Sequence, residues 1–313
     1  MAEIWTMGEM LVEIMRDTVG ASLGTSGVFK GPYASGAPAI FIDTVAKLGG
    51  TAGMIGSVGN DDFGECIVGK LQSDGVDCSN VIKSNELSTG CAFVTYFEDG
   101  SRKFIYHIAN TAATLSRGLS KMPKDAKIFH IMGCSLTAEP NFGRRIIDTM
   151  NVFSLCGAKI TFDPNIRPEL MKDEKCMSRI QDVMEKTNIF MPGKSELLML
   201  TNSKSIEEAC EKCFSNYNME MIVVKNGSSG SMIFTKDMKY SFGIYKVDPV
   251  DATGAGDSFD GAFLTSLIKG KSIEDCAKIA SAAAALNTAE FGPMEGKISP
   301  ASVSKMISEG GCI

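Results

Sequence analysis

The pattern of hydrophobic and polar positions alternates along the chain between the repeat of a helix and that of a strand. Apolar residues recur at helical spacing in four clear segments, 39–48, 64–73, 141–156 and 174–186. Short apolar runs predict strands in 4–14, 53–58, 128–132, 159–163, 188–191 and 221–225. Strands that alternate with helices predict an α/β fold, in which helices flank a mostly parallel sheet.

One segment interrupts this alternation. Residues 91–110 have the pattern of a hairpin, and Asp99-Gly100 is a typical turn dipeptide between its strands. Together with segments 11–16 and 26–34, this hairpin is compatible with a small sheet that stands off the main one. An edge hairpin of the central sheet explains the same pattern.

Composition narrows the class of protein. The chain has 313 residues, 44% of them apolar, so we expect one compact domain over residues 1–313. The net charge of −6 and the lack of long Lys/Arg blocks argue against nucleic acid or an anionic membrane as a partner. We expect a cytoplasmic protein with reduced cysteines, because no secretion signal or membrane-length apolar run stands out.

The most specific local signal lies in residues 251–264. Gly254, Ala255 and Gly256 form a turn of small residues, and apolar residues follow it at helical spacing. The first turn of a helix has unpaired N–H donors and a partial positive charge, so this turn can hold a phosphate. Asp257 in the same turn is placed to accept the proton of an attacking hydroxyl. A plain helix N-terminus capped by Asp257 is the alternative.

The run Asp251-Ala-Thr-Gly-Ala-Gly-Asp-Ser-Phe259 resembles the C-terminal signature of the ribokinase-like (PfkB) sugar kinases. Counterparts of the family's other motifs occur in the same order as in the family, over nearly the whole chain. The resemblance implies a ribokinase-like, doubly wound α/β fold in which the small sheet is a lid over the sugar. It also implies ATP and Mg²⁺, with K⁺ as a further candidate. Asp257 would be the base, and Gly254, Ala255 and Gly256 would hold developing negative charge.

The same resemblance assigns the sugar to several segments. Residues 35–40 are similar to the family's N-terminal sugar signature, although Ile40 replaces an asparagine that is often present. Asp163-Pro-Asn-Ile-Arg167 follows a predicted strand, at the sheet edge where ligands bind in doubly wound folds. The implied sugar-binding residues are Glu13, Gly36, Ala37, Ile40, Tyr106, Asn165, Arg167 and Asp257.

The nucleotide is assigned mainly to the second half of the chain. The implied ATP-binding residues are Lys194, Lys225, Gly227, Gly230, Gly254, Gly256, Asn287 and Gly292. Glu196 corresponds to a glutamate that places Mg²⁺ through water, although Gly193 replaces the usual asparagine. Stabilisation of a helix start by Glu196 is the alternative, with Lys194 supplying charge to the phosphates. Asp251 and Thr253 are the implied residues of a monovalent cation site.

These assignments predict an ATP-dependent sugar kinase, with a neutral ketohexose such as tagatose or fructose as the favoured substrate. Related 2-keto-3-deoxygluconate kinases carry a lid arginine where this chain has Ala109, which disfavours a sugar acid. A sugar-acid kinase, a nucleoside kinase and a non-catalytic sugar-binding regulator remain alternatives. The exposed edges of a lid sheet are consistent with a homodimer formed through the lid.

Overall fold

The computed structural model describes residues 2–119 and 123–310. Strands and helices are numbered in chain order. Nine strands of the described residues form the main sheet: β1 Ile4–Met7, β4 Ala52–Gly59, β5 Asp77–Ser84, β8 Ile128–Met132, β9 Lys159–Asp163, β10 Ile189–Phe190, β11 Met221–Lys225, β12 Ser231–Thr235 and β13 Lys239–Phe242. Their order across the sheet is β13-β12-β11-β10-β9-β8-β1-β4-β5.

Seven neighbouring strands of this sheet run parallel: β11, β10, β9, β8, β1, β4 and β5. β12 and β13 complete the sheet as antiparallel strands at one end. β1, β4 and β8 are buried along their whole length, because a parallel sheet has both faces covered. β1 lies between β4 and β8, so the chain builds one side of the sheet first and then the other. Such a reversal opens a crevice at the carboxyl ends of the strands.

Helices cover both faces of the main sheet. They are α1 Ala37–Lys47, α2 Asp62–Ser73, α3 Gly133–Ala138, α4 Pro140–Leu155, α5 Cys176–Met184, α6 Lys194–Thr201, α7 Ile206–Asn216, α8 Ala255–Ile268, α9 Ile273–Thr288 and α10 Pro300–Glu309. α1, α2, α8, α9 and α10 enclose one hydrophobic core, and α3 to α7 enclose the other. Fully buried side chains such as Phe263 and Phe162 each contribute roughly 1.5–3 kcal/mol.

A second sheet of four strands lies apart from the first. Its strands are β2 Leu11–Arg16, β3 Phe29–Ser35, β6 Gly90–Tyr96 and β7 Arg102–His107, in the order β3-β2-β6-β7. Asp99 and Gly100 form the turn between β6 and β7, and Gly100 has a φ of +78°. The segments near 11–16, 26–34 and 91–110 therefore share a separate sheet, and the edge-hairpin alternative is wrong.

The predicted strand over residues 4–14 is also wrong in one respect. The chain breaks after Met7, so β1 enters the main sheet and β2 enters the small one. Gly8 lies at the break, where a Cβ atom would approach the Ser135 hydroxyl to 2.5 Å. Most side chains from β1 into β2 are apolar, so hydrophobicity alone does not mark this break. The other predicted elements are present with ends that differ by at most two residues, and β8, β9 and β11 have the predicted bounds.

No helix in the described ranges has both the length and the apolar character that a membrane span requires. The cysteines of these ranges are free thiols. Cys210 and Cys213, the one close pair, lie buried in α7, and burial raises the pKa of Cys210 to about 12. This pair consequently has little thiolate character at neutral pH.

Candidate active site

Five strand ends of the main sheet meet around one cavity of about 290 Å³. Glu9 follows β1, Cys134 follows β8, Asp163 ends β9, Gly193 follows β10 and Lys225 ends β11. Residues of β2 and β7 in the small sheet also line the cavity. The size and the polar lining of the cavity suit a small hydrophilic ligand.

Asp257 lines this cavity from the first turn of α8, where Gly254 is the N-cap. Gly254 has a φ of +80°, and a Cβ atom there would lie 2.8 Å from the Pro293 carbonyl oxygen. The turn therefore requires glycine. We call residues 254–257 the anion turn, because they present first-turn N–H groups beside a carboxylate. Gly254 and not Asp257 caps the helix, so the capping interpretation of Asp257 is wrong.

The surroundings of Asp257 tune its proton affinity. The residue is 6% exposed, and its Oδ1 accepts a hydrogen bond of 3.0 Å from Asn165 Nδ2. Burial raises the pKa of Asp257 to about 7; the Asp163 carboxylate also raises it, whereas Arg167 lowers it. A general base is most effective when its pKa lies near the working pH. Asp257 therefore has the chemistry that base catalysis requires.

Asn165 reaches Asp257 because the chain turns sharply after β9. Its φ of +38° lies in the left-handed region, which asparagine tolerates better than most residues. Asp163 Oδ1 accepts a 3.1 Å hydrogen bond from the Asn165 backbone N–H and holds the turn. Arg167 lines the same cavity. The structure thus brings both residues of this predicted motif to Asp257.

Glu13, predicted to bind the sugar, is buried in the wall that β2 forms. Its Oε1 accepts a 2.6 Å hydrogen bond from the Ser35 hydroxyl, while Oε2 has no partner among the described residues. Burial raises the pKa of Glu13 to about 7, although the Ser35 hydrogen bond opposes the shift. A buried acceptor without a donor costs free energy. Glu13 is therefore equipped to accept a hydrogen bond from a ligand hydroxyl.

The start of α1 adds three more predicted residues to the cavity wall: Gly36, which is the N-cap, and Ala37 and Ile40 of the helix. Gly36 has a φ of +106°, and a Cβ atom there would lie 2.5 Å from the Glu9 carbonyl oxygen. Glycine is consequently required at this point, because the backbone packs closely against Glu9. Tyr106 reaches the cavity from β7, and burial raises its pKa above the ordinary value.

Several residues of the cavity lining were missing from the predicted site, among them the charged Glu9 and Arg102. Glu9 is buried and accepts a hydrogen bond from the Ser135 hydroxyl. Arg102 Nη1 donates a 2.9 Å hydrogen bond to Thr253 Oγ1, which links the small sheet to the anion turn. Position could have indicated Arg102, which shares one face of β7 with Tyr106. It could not have indicated Glu9, because hydrophobicity does not mark the break after Met7.

A second cavity of about 420 Å³ adjoins the first. Lys225, Gly227, Ala252 and Gly256 line both, so the anion turn lies between them. Most of the other residues of this second cavity are small or apolar, and they include Gly230, Ile244, Val247, Ala255, Phe259, Ser281, Ala284 and Ala285. Small apolar walls of this kind leave a slot that suits a flat heterocycle.

Three predicted nucleotide residues line neither cavity. Asn287 is buried, and its Nδ2 donates a 2.8 Å hydrogen bond to the Thr253 carbonyl oxygen. The Gly292 backbone N–H donates to Asp251 Oδ2 at 3.1 Å. Both therefore support the anion turn from behind. Lys194 is exposed at the start of α6.

Asp251, predicted as part of a cation site, connects the anion turn to the small sheet. Its Oδ1 accepts hydrogen bonds of 2.9 Å from the Thr253 backbone N–H and of 2.9 Å from the Tyr96 hydroxyl. Asn287 Oδ1 nearby has no partner in the described part of the chain. The oxygens present suit a monovalent cation, but a cation bound to Oδ1 would compete with the Tyr96 hydroxyl.

Glu196 lines the first cavity from α6. Its oxygens accept hydrogen bonds of 2.7 Å from the Ile166 N–H and of 2.8 Å from the Gly193 N–H. Burial raises the pKa of Glu196. The described residues contain no group of three or more typical metal-binding side chains. The single carboxylate of Glu196 suits Mg²⁺, which proteins usually hold through one or two carboxylates, waters and substrate phosphates.

Comparison with known proteins identifies the class that this fold and site define. The profile of the "pfkB family carbohydrate kinase" matches residues 1–300. The chain therefore belongs to the pfkB family of carbohydrate kinases, enzymes that transfer phosphate to a sugar hydroxyl. The predicted family, the ribokinase-like α/β fold and the predicted sugar-kinase class are confirmed.

Several relatives cover almost the whole chain. Probable fructokinase-3 of Arabidopsis thaliana is 34% identical over 301 residues, which are 92% of this chain and 86% of the relative. An E. coli protein provisionally designated Ribokinase II, solved in complex with ATP and Mg²⁺, is 34% identical with a TM-score of 0.91 over 99% of this chain and 100% of that chain. A fructokinase double mutant of Vibrio cholerae O395, in its fructose-, ADP- and potassium-bound form, shares the fold at 24% identity and a TM-score of 0.84 over 98% of each chain.

Proposed function

We propose that this carbohydrate kinase transfers the γ-phosphoryl group of ATP to a hydroxyl of a neutral ketohexose such as fructose. The observation that carries the proposal is the position of Asp257, which lies in the anion turn and lines the same cavity as Glu13 and Asn165. The two adjoining cavities support a reaction with two substrates. The fructokinases among the relatives support a ketohexose.

In the proposed reaction, the sugar occupies the first cavity and the nucleotide occupies the second. Asp257 takes the proton of the sugar hydroxyl while that oxygen forms a bond to the γ-phosphorus. The bond from the γ-phosphorus to its bridging oxygen breaks, and ADP leaves with the electron pair. The N–H groups of the anion turn stabilise charge on the phosphoryl oxygens. Proton transfer to a positioned base typically contributes about 10²- to 10⁴-fold in rate.

The remaining polar residues of the cavity would orient the sugar. Glu13 would accept a hydrogen bond through its unpartnered Oε2, and Asn165 and Arg167 would supply donors. Ile40 offers no hydrogen bond where relatives often have asparagine, so one sugar hydroxyl would lack a protein partner there. Lys225, Gly227 and Gly256 would contact the phosphates from the boundary between the cavities.

Bound ions would complete the site. Mg²⁺ would neutralise part of the phosphate charge, with Glu196 placed to hold one of its water ligands. The ATP- and Mg²⁺-bound E. coli relative supports this cofactor pair. For K⁺, Asp251 and Thr253 would provide oxygens behind the anion turn, and the potassium-bound fructokinase makes this cation a candidate to test.

A sugar acid is a second candidate for the acceptor, because Arg102 and Arg167 both line the first cavity. Two guanidinium groups are able to bind a carboxylate. Arg102 is engaged with Thr253, however, and the buried carboxyl groups of Glu9 and Glu13 line the same cavity, where each repels a carboxylate when it is ionised. We therefore favour the neutral sugar.

The test is initial-rate ADP formation with ATP and a panel of acceptors: fructose, tagatose, ribose, 2-keto-3-deoxygluconate and adenosine. The proposal predicts the highest kcat/KM on a ketohexose. A preference for 2-keto-3-deoxygluconate would support the sugar-acid candidate, and a preference for adenosine would support the nucleoside kinase. If a sugar raises the melting temperature but no acceptor yields ADP, the chain is a sugar-binding regulator.

The proposal also includes the cellular location and the oligomeric state. The requirement for ATP supports a cytoplasmic location. The outer strands of the small sheet, β3 and β7, support a homodimer in which these edges pair. Light scattering coupled to size-exclusion chromatography would contradict the dimer if it gave the mass of one chain at micromolar concentration.

A further inference from the structure

A buried group of charges lies at the boundary between the two cavities. Lys225 Nζ donates hydrogen bonds of 2.7 Å to Asp163 Oδ2 and of 2.7 Å to Asp260 Oδ2. Asp163 ends β9, Lys225 ends β11 and Asp260 belongs to α8, so the lysine ties two strand ends to a helix. Asp260 is fully buried, and its Oδ1 has no partner among the described residues.

The lysine is oriented towards the anion turn. An ammonium has three donors, and in the described ranges the structure gives Lys225 Nζ two hydrogen-bond acceptors. A Cβ atom built on Gly256 would lie 3.8 Å from this nitrogen, so the ammonium is close to the first turn of α8. Burial alone would lower the pKa of Lys225, but Asp163 and Asp260 outweigh burial and keep it raised. The group therefore remains charged at neutral pH.

A chain of contacts also joins this lysine to the base. Asp163 binds Lys225 through Oδ2 and the Asn165 backbone through Oδ1, while Asn165 donates to Asp257. The position of the ammonium and the position of the base thus depend on the same aspartate. Asp260 anchors the ammonium from α8, the helix whose first turn contains Asp257.

On the basis of the proposed kinase function, we propose that Lys225 places its positive charge on the phosphoryl group during transfer and that Asp260 is the residue that positions it. Two of the ammonium's donors bind the aspartates, and its third N–H remains available to a phosphoryl oxygen at the anion turn. Charge stabilisation of this kind accelerates transfer when it is stronger in the transition state than in the bound substrate.

A purely structural role is the competing explanation. Lys225 would then only neutralise buried carboxylates and fasten α8 to the sheet. Removal of the lysine alone would leave two buried aspartates without a cation, which destabilises a protein strongly. Loss of activity in such a variant would therefore not separate the two explanations, and a second substitution is required.

The experiment compares kcat, KM for ATP and melting temperature in Lys225→Met, Asp260→Asn and the double variant. Lys225→Met should lower kcat by about 100-fold, the effect typical of a removed transition-state donor. Asp260→Asn should lower kcat by about tenfold, because the ammonium keeps one anchor but loses its fixed position. In the double variant one buried carboxylate has been removed, so the melting temperature should recover towards the wild type while kcat stays as low as in Lys225→Met.

Lys269→Met is the matched control, since this lysine follows α8 at its far end and donates to the Leu48 carbonyl oxygen. It should keep wild-type kcat. Lys225→Arg, which retains the charge, should be faster than Lys225→Met. Recovery of kcat together with stability in the double variant would overturn the inference, as would a rise in KM for ATP at unchanged kcat. An inactive wild type would instead contradict the proposed kinase function.

Discussion

The hydrogen bond from Asn165 to Asp257 gives a prediction that can be worked through in numbers. The 3.0 Å contact stabilises the charged form of a buried carboxylate whose pKa is about 7. A hydrogen bond to a charged group contributes about 1.5–3 kcal/mol. One pKa unit corresponds to about 1.36 kcal/mol, so loss of the amide should raise the pKa of Asp257 by about one to two units.

Asn165→Gly is the appropriate perturbation. Asn165 has a φ of +38°, and glycine accepts this conformation without strain, so the side chain is removed while the turn is kept. Asn202→Gly is the matched control: Asn202 has a φ of +47°, is exposed at the C-terminus of α6 and lines neither cavity. It should leave the kinetics unchanged.

The assay is kcat/KM for the sugar as a function of pH, at saturating ATP and Mg²⁺. The base acts in its deprotonated form, so kcat/KM falls as the pH drops through the pKa of Asp257. In Asn165→Gly this fall should begin at a higher pH. With a shift of one to two units from a pKa of about 7, the loss should be about 10- to 100-fold near pH 6 and no more than about twofold near pH 9. An equal loss at every pH would refute this reasoning and would mean that Asn165 only binds the sugar.

Three further substitutions test other parts of the site. Glu13→Gln should raise KM for the sugar by about tenfold, because one charge-assisted hydrogen bond is lost. KM for ATP should change less, and equal changes in both KM values would contradict a sugar contact. Gly254→Ala should lower both stability and kcat, because its Cβ would meet the Pro293 carbonyl oxygen. Gly100→Ala is the control: Gly100 has a similar φ of +78° but open space around it, so this variant should lower stability slightly and leave kcat unchanged. Tyr96→Phe removes the hydroxyl that binds Asp251 Oδ1, so we expect the concentration of K⁺ that gives half-maximal activity to fall; rates that do not depend on K⁺ in either protein would contradict a cation at Asp251.

The central part of the fold could be predicted from the sequence because parallel strands leave a strong signal. Runs such as Ile128–Met132 and Met221–Lys225 have four apolar residues out of five, and amphipathic helices separate the central strands. The strands β5, β12 and β13, which lie at the two ends of the main sheet, were not predicted, because partly exposed strands show weaker patterns. The break after Met7 depends on packing of Gly8 against Pro38 and Ser135, contacts that are remote in sequence.

The candidate site shows the same division between local and long-range information. The anion turn, Asp257, Asn165 and Arg167 lie in short motifs whose chemistry is visible locally. Arg102 and Asp260 gain their positions only when the small sheet and α8 meet the ends of the central strands. Their partners lie 151 and 35 residues away in sequence, respectively. No local pattern marks such pairs.

The proposed mechanism depends most on Asp257 as the general base, and Asp257→Asn tests this role directly. Asparagine has nearly the same shape as aspartate but cannot accept the proton. We expect kcat for ADP formation with fructose to fall by about 10²- to 10⁴-fold, while calorimetry gives wild-type affinity for the sugar. Turnover within about tenfold of the wild type, at unchanged sugar affinity, would contradict the account.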